Sequence, residues 1–243
     1  MRYATSNLRD TIMGGTSKKM KGGGLPIDLF ELLNNKKEFL VKVFATLISQ
    51  LGITYYIMMN YNPTTDEEKQ MSYGFKIFFL FLIQIGIITI MAFVPMAIYL
   101  KLLLFSVFSV TFGIMLSFVG QRVDPNLIKM ALVSTGAIFG TMFLMGLSLL
   151  ALGIKLGSRF GFMLLIALLI LIVVRVVSLF TTNYSSNIKG FSLVTIILFA
   201  IYIIYDTNKI IQKDYYGDFV TAGMDYYLDI INIFINLINF NSR

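Results

Sequence analysis

Two aspartates, Asp206 and Asp229, stand within largely apolar runs, Phe191 to Ile211 and Tyr226 to Phe240. A carboxylate placed in hydrocarbon is costly, so an acid in such a run faces a partner or a hydrated path. Two acids at similar depth offer two kinds of chemistry. They can share one proton and titrate as a unit, or they can present oxygen ligands to a hard cation, above all calcium. Asn232, Asn236 and Asn239 follow Asp229 at i+3, i+7 and i+10, which lines four polar side chains along one helix face. Such a stripe either lines a hydrated path or hydrogen-bonds between helices. Calcium takes about 6–8 oxygens. Two carboxylates with a few amides would therefore hold it only transiently, as a permeant ion and not as a cofactor.

Other chemistry is largely excluded. The 243 residues include no histidine and no cysteine, which removes thiol chemistry, disulfides, the usual zinc sites and every Ser-His or Cys-His nucleophile. No enzymatic activity and no cofactor are expected.

The elements that position the aspartates follow from the charge map. The chain is 57% hydrophobic and 14% charged, enough apolar sequence for about seven spans of ~20 residues. Uncharged stretches of 23, 24, 20 and 25 residues separate Lys42 from Asp66, Lys76 from Lys101, Lys101 from Arg122, and Lys129 from Lys155. Each exceeds the ~18 residues that distinguish a spanning helix from a core helix. The segment Gly161 to Phe180, which contains Arg175, and the two aspartate runs complete the set. The expected fold is an all-α membrane protein, a seven-transmembrane helical bundle over residues 39–243, preceded by a flexible basic tail over 1–38. On this reading Asp229 lies about one turn into the seventh span, at the depth of Asp206. Arg175, near the opposite face, is too far to neutralise the pair and is expected to snorkel outward.

Charge asymmetry sets the orientation. With the N-terminus in the cytoplasm, thirteen Lys and Arg fall inside, Lys209 among them, and six outside. The net charge of +7 is thus mostly topological, and the tail is expected to lie against anionic lipid. No nucleic-acid partner is expected, because the tail carries only Tyr3 and Phe30 as aromatics. Asp66, Glu67 and Glu68 form an acidic cluster in the first outer loop.

The run Leu198 to Ile211, with Tyr205-Asp206-Thr207-Asn208-Lys209 at its centre, and the run Tyr226 to Ile238 resemble the closing signature of the Bax inhibitor-1 family, the transmembrane Bax inhibitor motif proteins. Weaker echoes are Gly113, Ala131 and Thr135, and the resemblance spans roughly Phe39 to Phe240. It implies seven helices with the C-terminal one central, a pH-dependent calcium leak, and a paired-aspartate sensor on Asp206 and Asp229. It further implies cytoprotective, anti-apoptotic action, with apoptosis-regulating membrane proteins as candidate partners. The compartment implied is an endoplasmic reticulum or Golgi-type endomembrane in a eukaryote or virus, and the plasma membrane in a bacterium. Some members place an arginine at the end of the second helix to bond the aspartates. Val94 to Leu100 contains none here, and Lys101 is the nearest basic residue and the candidate counter-charge.

Two alternatives stay open. A membrane interaction protein would inhibit apoptosis without ion flux, its aspartates serving only to pack helices. An intramembrane aspartyl protease would pair Tyr205-Asp206 with a Gly-x-Gly-Asp motif, of which only Gly217-Asp218 is present, since Tyr215 occupies the first glycine's place.

Overall fold

The structure is a computed structural model that describes residues 29–62, 70–178, 184–213 and 215–242. Asp66 to Glu68 and residues 1–28 of the basic tail lie outside these. The described residues form eight helices: α1 (Leu29–Asn35), α2 (Lys37–Asn60), α3 (Gln70–Phe93), α4 (Ile98–Gly120), α5 (Pro125–Ala151), α6 (Ser158–Ser178), α7 (Tyr184–Gln212) and α8 (Phe219–Asn241). The expected flexible segment 1–38 is corrected at its end, where α1 and the start of α2 are already helical. Leu32 and Leu33 of α1 pack on the core, which gives this stretch the apolar contact that a tail lacks.

Helix limits follow local chemistry. Pro95 falls in the break between α3 and α4, where its missing N–H and fixed φ interrupt the ladder. Asp124 caps α5 by accepting from the Asn126 backbone N–H at 2.8 Å, with Pro125 at the first helical position. Gly153, at φ +78°, supplies the left-handed turn that ends α5.

Six of these helices, α2 through α7, are long and apolar enough to cross a membrane. Seven spans were expected. The missing one is α8, whose 23 residues reach about 35 Å at ~1.5 Å each but carry Asp225, Asp229 and the asparagines Asn232, Asn236 and Asn239, which dilute its apolar content. Helix α8 packs against α2, α4, α5 and α7, and twelve of its residues are buried. The outer helices are less engaged: α3 lies mainly on α4, and α6 on α7.

Small residues bring the backbones together. A Cβ on Gly113 of α4 would sit 2.7 Å from Ile57 Cβ and 2.8 Å from the Thr54 carbonyl oxygen of α2. A Cβ on Gly146 of α5 would sit 2.7 Å from Thr207 Cβ of α7. In lipid no hydrophobic force drives helices together, so close packing at such residues carries the association.

Candidate functional site

Helix α8 is fixed by two adjacent tyrosines that are completely buried, Tyr226 and Tyr227. Side chains at consecutive positions of a helix diverge by about 100°, so the two point into different neighbours. Tyr226 meets Phe44, Phe139 and Phe143 and donates to Thr207 Oγ1 at 3.0 Å. Tyr227 meets Phe105, Phe108 and Phe112 of α4, and its hydroxyl lies 2.6 Å from that of Thr54. Both hydroxyls thereby find partners in an apolar interior. The register of α8 against α2, α4, α5 and α7 is set by these contacts, and that register places Asp229.

Asp229 and Asp206 are 3% and 6% exposed, and their side chains lie close enough between α8 and α7 to interact electrostatically. Two ionised carboxylates so close would repel strongly in a low-dielectric setting, whereas one proton between them turns the contact into a hydrogen bond. Asp229 Oδ2 is buried and meets no amide, hydroxyl or ammonium donor. The depth expected for Asp229 is corrected: α8 begins at Phe219, not near Tyr226, so Asp229 lies ten residues in, about 15 Å along the helix. The reason is that Val220, Ala222, Gly223 and Met224, which precede the expected span, are buried and helical.

A cation stands beside the pair, though not the one expected. Lys209, one turn beyond Asp206 on α7, places Nζ 3.6 Å from Asp206 Oδ1 and 2.8 Å from Asp225 Oδ2 of α8. Its ammonium lies 5.1 Å from the centre of the Tyr215 ring, and Tyr215 donates its hydroxyl to Asp225 Oδ2 at 3.0 Å. Tyr215 sits in the α7–α8 connection at φ +45°, a left-handed backbone rare for a bulky residue. Burial, and then the Asp225 carboxylate, push its phenol above the ordinary range, so it stays a donor. A connected row thus runs Asp229, Asp206, Lys209, Asp225, Tyr215.

Lys101 is elsewhere. It ion-pairs with Asp218 and donates to Thr221 Oγ1 at 3.2 Å, at the start of α8. Asp218 also accepts from the Thr221 backbone N–H at 2.9 Å, as the cap of α8. Burial disfavours the Asp218 anion, but the bonds from Lys101 and Thr221 outweigh this and hold its carboxyl below the usual range. The acid required by a Gly-x-Gly-Asp reading is therefore engaged as a helix cap.

The asparagine stripe is partly self-satisfied. Asn232 donates to the Leu228 carbonyl and Asn236 to the Asn232 carbonyl, both at 2.7 Å. Asn236 Oδ1 also accepts from Arg175 of α6 at 2.5 Å. Arg175 thus turns inward toward α8, where outward snorkelling was expected, because a buried amide oxygen offers it a charge-assisted bond. Asn239 is half-buried. Among the described residues no cluster of three or more acidic side chains converges as a metal site.

Lys209 reads in the sequence only as one more positive charge counted for topology, and Asp225 is not singled out there. The i, i+3 spacing of Asp206 and Lys209 is the signal that would have marked the pairing.

Comparison with known proteins agrees with the closing-helix signature. A family model described as "Inhibitor of apoptosis-promoting Bax1" matches residues 36–242. The BI1-like protein of Arabidopsis thaliana is 24% identical over 210 residues, 82% of this chain and 78% of that one. Protein LIFEGUARD 1 of the same plant is 33% identical over 116 residues, 46% of this chain, and the match spans about half (49%) of its own length. An uncharacterised protein of Campylobacter jejuni is 33% identical over 136 residues, 51% of this chain and 58% of that one. With a model match over most of its length and a multi-pass helical architecture that fits it, the chain belongs to the Bax inhibitor family.

Proposed function

We propose that the protein is a pH-sensitive calcium leak channel whose control element is the Asp206–Asp229 pair, with cytoprotective, anti-apoptotic action through calcium homeostasis. The observation that carries this reading is a pair of buried carboxyl groups, 6% and 3% exposed, on the adjoining helices α7 and α8, with the Lys209 ammonium 3.6 Å from one of them. A pair that shares a proton is neutral enough to stay packed, and loss of that proton places two like charges at one helix contact, which favours separation of the helices. Lys209 on one side and the polar face of Asn232, Asn236 and Asn239 on the other then border the opening between them. Calcium passes as the transient occupant of carboxylate and amide oxygens and not as a resident metal. The protein lies with its N-terminus and the α7–α8 connection in the cytoplasm, as the Lys and Arg distribution favours. The compartment is an endomembrane in a eukaryotic or viral setting and the plasma membrane in a bacterial one.

The test is calcium efflux from proteoliposomes over a pH series, comparing the native chain with Asp206→Asn and Asp229→Asn, singly and together. Each variant should change the rate and flatten the pH response. Unchanged flux and unchanged pH response in both single variants would sink the proposal.

A second reading, a membrane protein that opposes apoptosis by binding partners without ion flux, is favoured by one observation. The Asn232 and Asn236 amides and Arg175 are engaged in bonds within and between helices, as packing contacts are. Absence of flux from purified, folded native protein would select it.

A further inference from the structure

A cavity of about 460 Å³ lies between α2, α4, α5 and α8, with neither aspartate in its lining. It falls within the ~300–1,000 Å³ usual for small-molecule sites. Its lining offers carbon only. The two threonine hydroxyls in its wall are already bonded: Thr135 to the Ala131 carbonyl at 2.7 Å, and Thr54 to the Gln50 and Ser109 carbonyls at 3.0 and 3.1 Å. A bare apolar void excludes water, and protein interiors rarely leave one of this size. Its mouth is bordered by Ile48, Tyr55 and Leu132, which are exposed on α2 and α5 partway along two spans. The medium that meets the mouth is therefore the hydrocarbon of the bilayer.

Two glycines open this space. A Cβ on Gly52 of α2 or on Gly136 of α5, both lining the cavity, would meet nothing within 4 Å. They contrast with Gly113 and Gly146, whose missing side chains let helices touch. A helix-interior glycine disfavours the helix relative to alanine, and at Gly52 and Gly136 the space that a side chain would take is left to the cavity.

A second cavity, of about 130 Å³, adjoins the first through Tyr55 and Met58, which line both. It lies where α2 and α4 end and α5 begins, at the level where spans meet the membrane surface. Its lining is mostly apolar but includes Asn62 and Gln121, whose amides are 3.3 Å apart, and the exposed Lys129, with no acidic residue among the lining residues. An apolar chamber inside the bilayer thus continues into a smaller pocket at the interface that holds one cation and two amides.

We propose that this composite site binds one anionic membrane phospholipid, its acyl chain in the larger cavity and its phosphate headgroup against Lys129. If each methylene claims roughly the ~30 Å³ that a water takes in the liquid, the larger cavity holds on the order of fifteen carbons. That is one long acyl chain. A compact ligand without a charged end would leave the lysine pocket unused, and a free phosphate would leave the chamber empty. The occupant rests on α8 through Ile230, Ile231 and Phe234, beside Asp229, and so holds α2, α5 and α8 at their present spacing.

The experiment is native mass spectrometry of purified, delipidated full-length protein, titrated with dipalmitoyl phosphatidylglycerol or dipalmitoyl phosphatidylcholine. The native chain should retain one phosphatidylglycerol per protein. Gly136→Leu, which fills the chamber without meeting protein atoms at Cβ, should bind it at least about tenfold more weakly, the loss expected when two methylenes are kept out. Lys129→Gln should erase the preference for phosphatidylglycerol over phosphatidylcholine while chain binding persists. Gly86→Leu on α3, equally open at Cβ but outside the cavity, should leave retention unchanged and controls for the substitution itself. Should Gly136→Leu fail to fold, Gly52→Leu replaces it. Equal retention by the native chain and the filled variant, or tighter binding of cholesterol than of either phospholipid, would overturn the assignment. None of these readouts depends on ion flux.

Discussion

The Lys209 ammonium stands 3.6 Å from the Asp206 carboxylate, one turn apart on the same helix, and reaches across to Asp225 of α8 at 2.8 Å. A single flexible side chain thus ties α7 to α8 just beside the carboxyl pair that lies between them. Lys209→Met keeps the aliphatic stem and removes the charge. It should lower the Tm of the detergent-solubilised protein, and a double-mutant cycle with Asp225→Asn should return a coupling of about 1 kcal/mol, since both partners are partly exposed. Additive effects of the two substitutions would show that the bridge contributes nothing.

Asp218 gives a pH dependence with a definite sign. Its carboxyl is held below the usual range by Lys101 and Thr221 once the protein is folded. A depressed folded-state value adds stability that is present above the unfolded value of about 3.9 and is lost as pH falls through the folded one. Asp218→Asn keeps a capping side chain but loses the charge. Its Tm should fall below that of the native chain near pH 7, and the difference should shrink below about pH 4. A gap that stays constant down to acid pH would show that the charge is not the source.

The glycines should separate into two classes on substitution to alanine. Gly113→Ala drives a Cβ to 2.7 Å from Ile57 Cβ and 2.8 Å from a carbonyl oxygen, an overpacking expected to cost about 1–3 kcal/mol. Gly140→Ala meets nothing within 4 Å in α5 and should stabilise by about 0.4–1 kcal/mol through the unfolded chain. Thermal unfolding of the two variants side by side checks this. Equal effects would mean that the α2–α4 approach has slack.

Arg175 and Asn236 are joined at 2.5 Å between α6 and α8. Asn236→Leu withdraws one acceptor from the Arg175 guanidinium and removes the bond between α6 and α8. A loss of about 1 kcal/mol is expected, given that interhelical polar contacts in membranes are individually modest. Limited proteolysis or hydrogen exchange should then show α6 loosening before the other helices. Uniform loosening would place the bond's contribution elsewhere.

Much of this architecture is legible in the charge map. The uncharged stretches locate α2 to α5, with ends displaced by up to seven residues, because each helix carries one or more charges near its start, among them Lys42, Lys76, Lys101 and Lys129, while the bulk of its length excludes charge. The start of α8 is misplaced because the apolar run begins only at Tyr226, whereas Asp225 bridges Lys209 and Asp218 caps the helix ahead of it. The carboxyl pair is legible, since two acids in apolar runs have few partners available. Lys209 and Lys101 exchange their expected places because depth along a span does not reveal the side of the helix on which a lysine lies. Tyr226 and Tyr227 read in the sequence only as part of the last apolar run, and the packing of α2, α4 and α5 around them shows that they set the register of α8.

Helix α8 is surrounded by α2, α4, α5 and α7, all of which precede it in the chain. During synthesis those four helices enter the membrane with the place between them unfilled, and they have each other and lipid as company until α8 arrives. Completion of the bundle is therefore a late event, because the helix at its centre is the last to be made. Premature termination anywhere before Phe219 leaves helices that have crossed the bilayer but have no centre to assemble on, a natural substrate for membrane quality control.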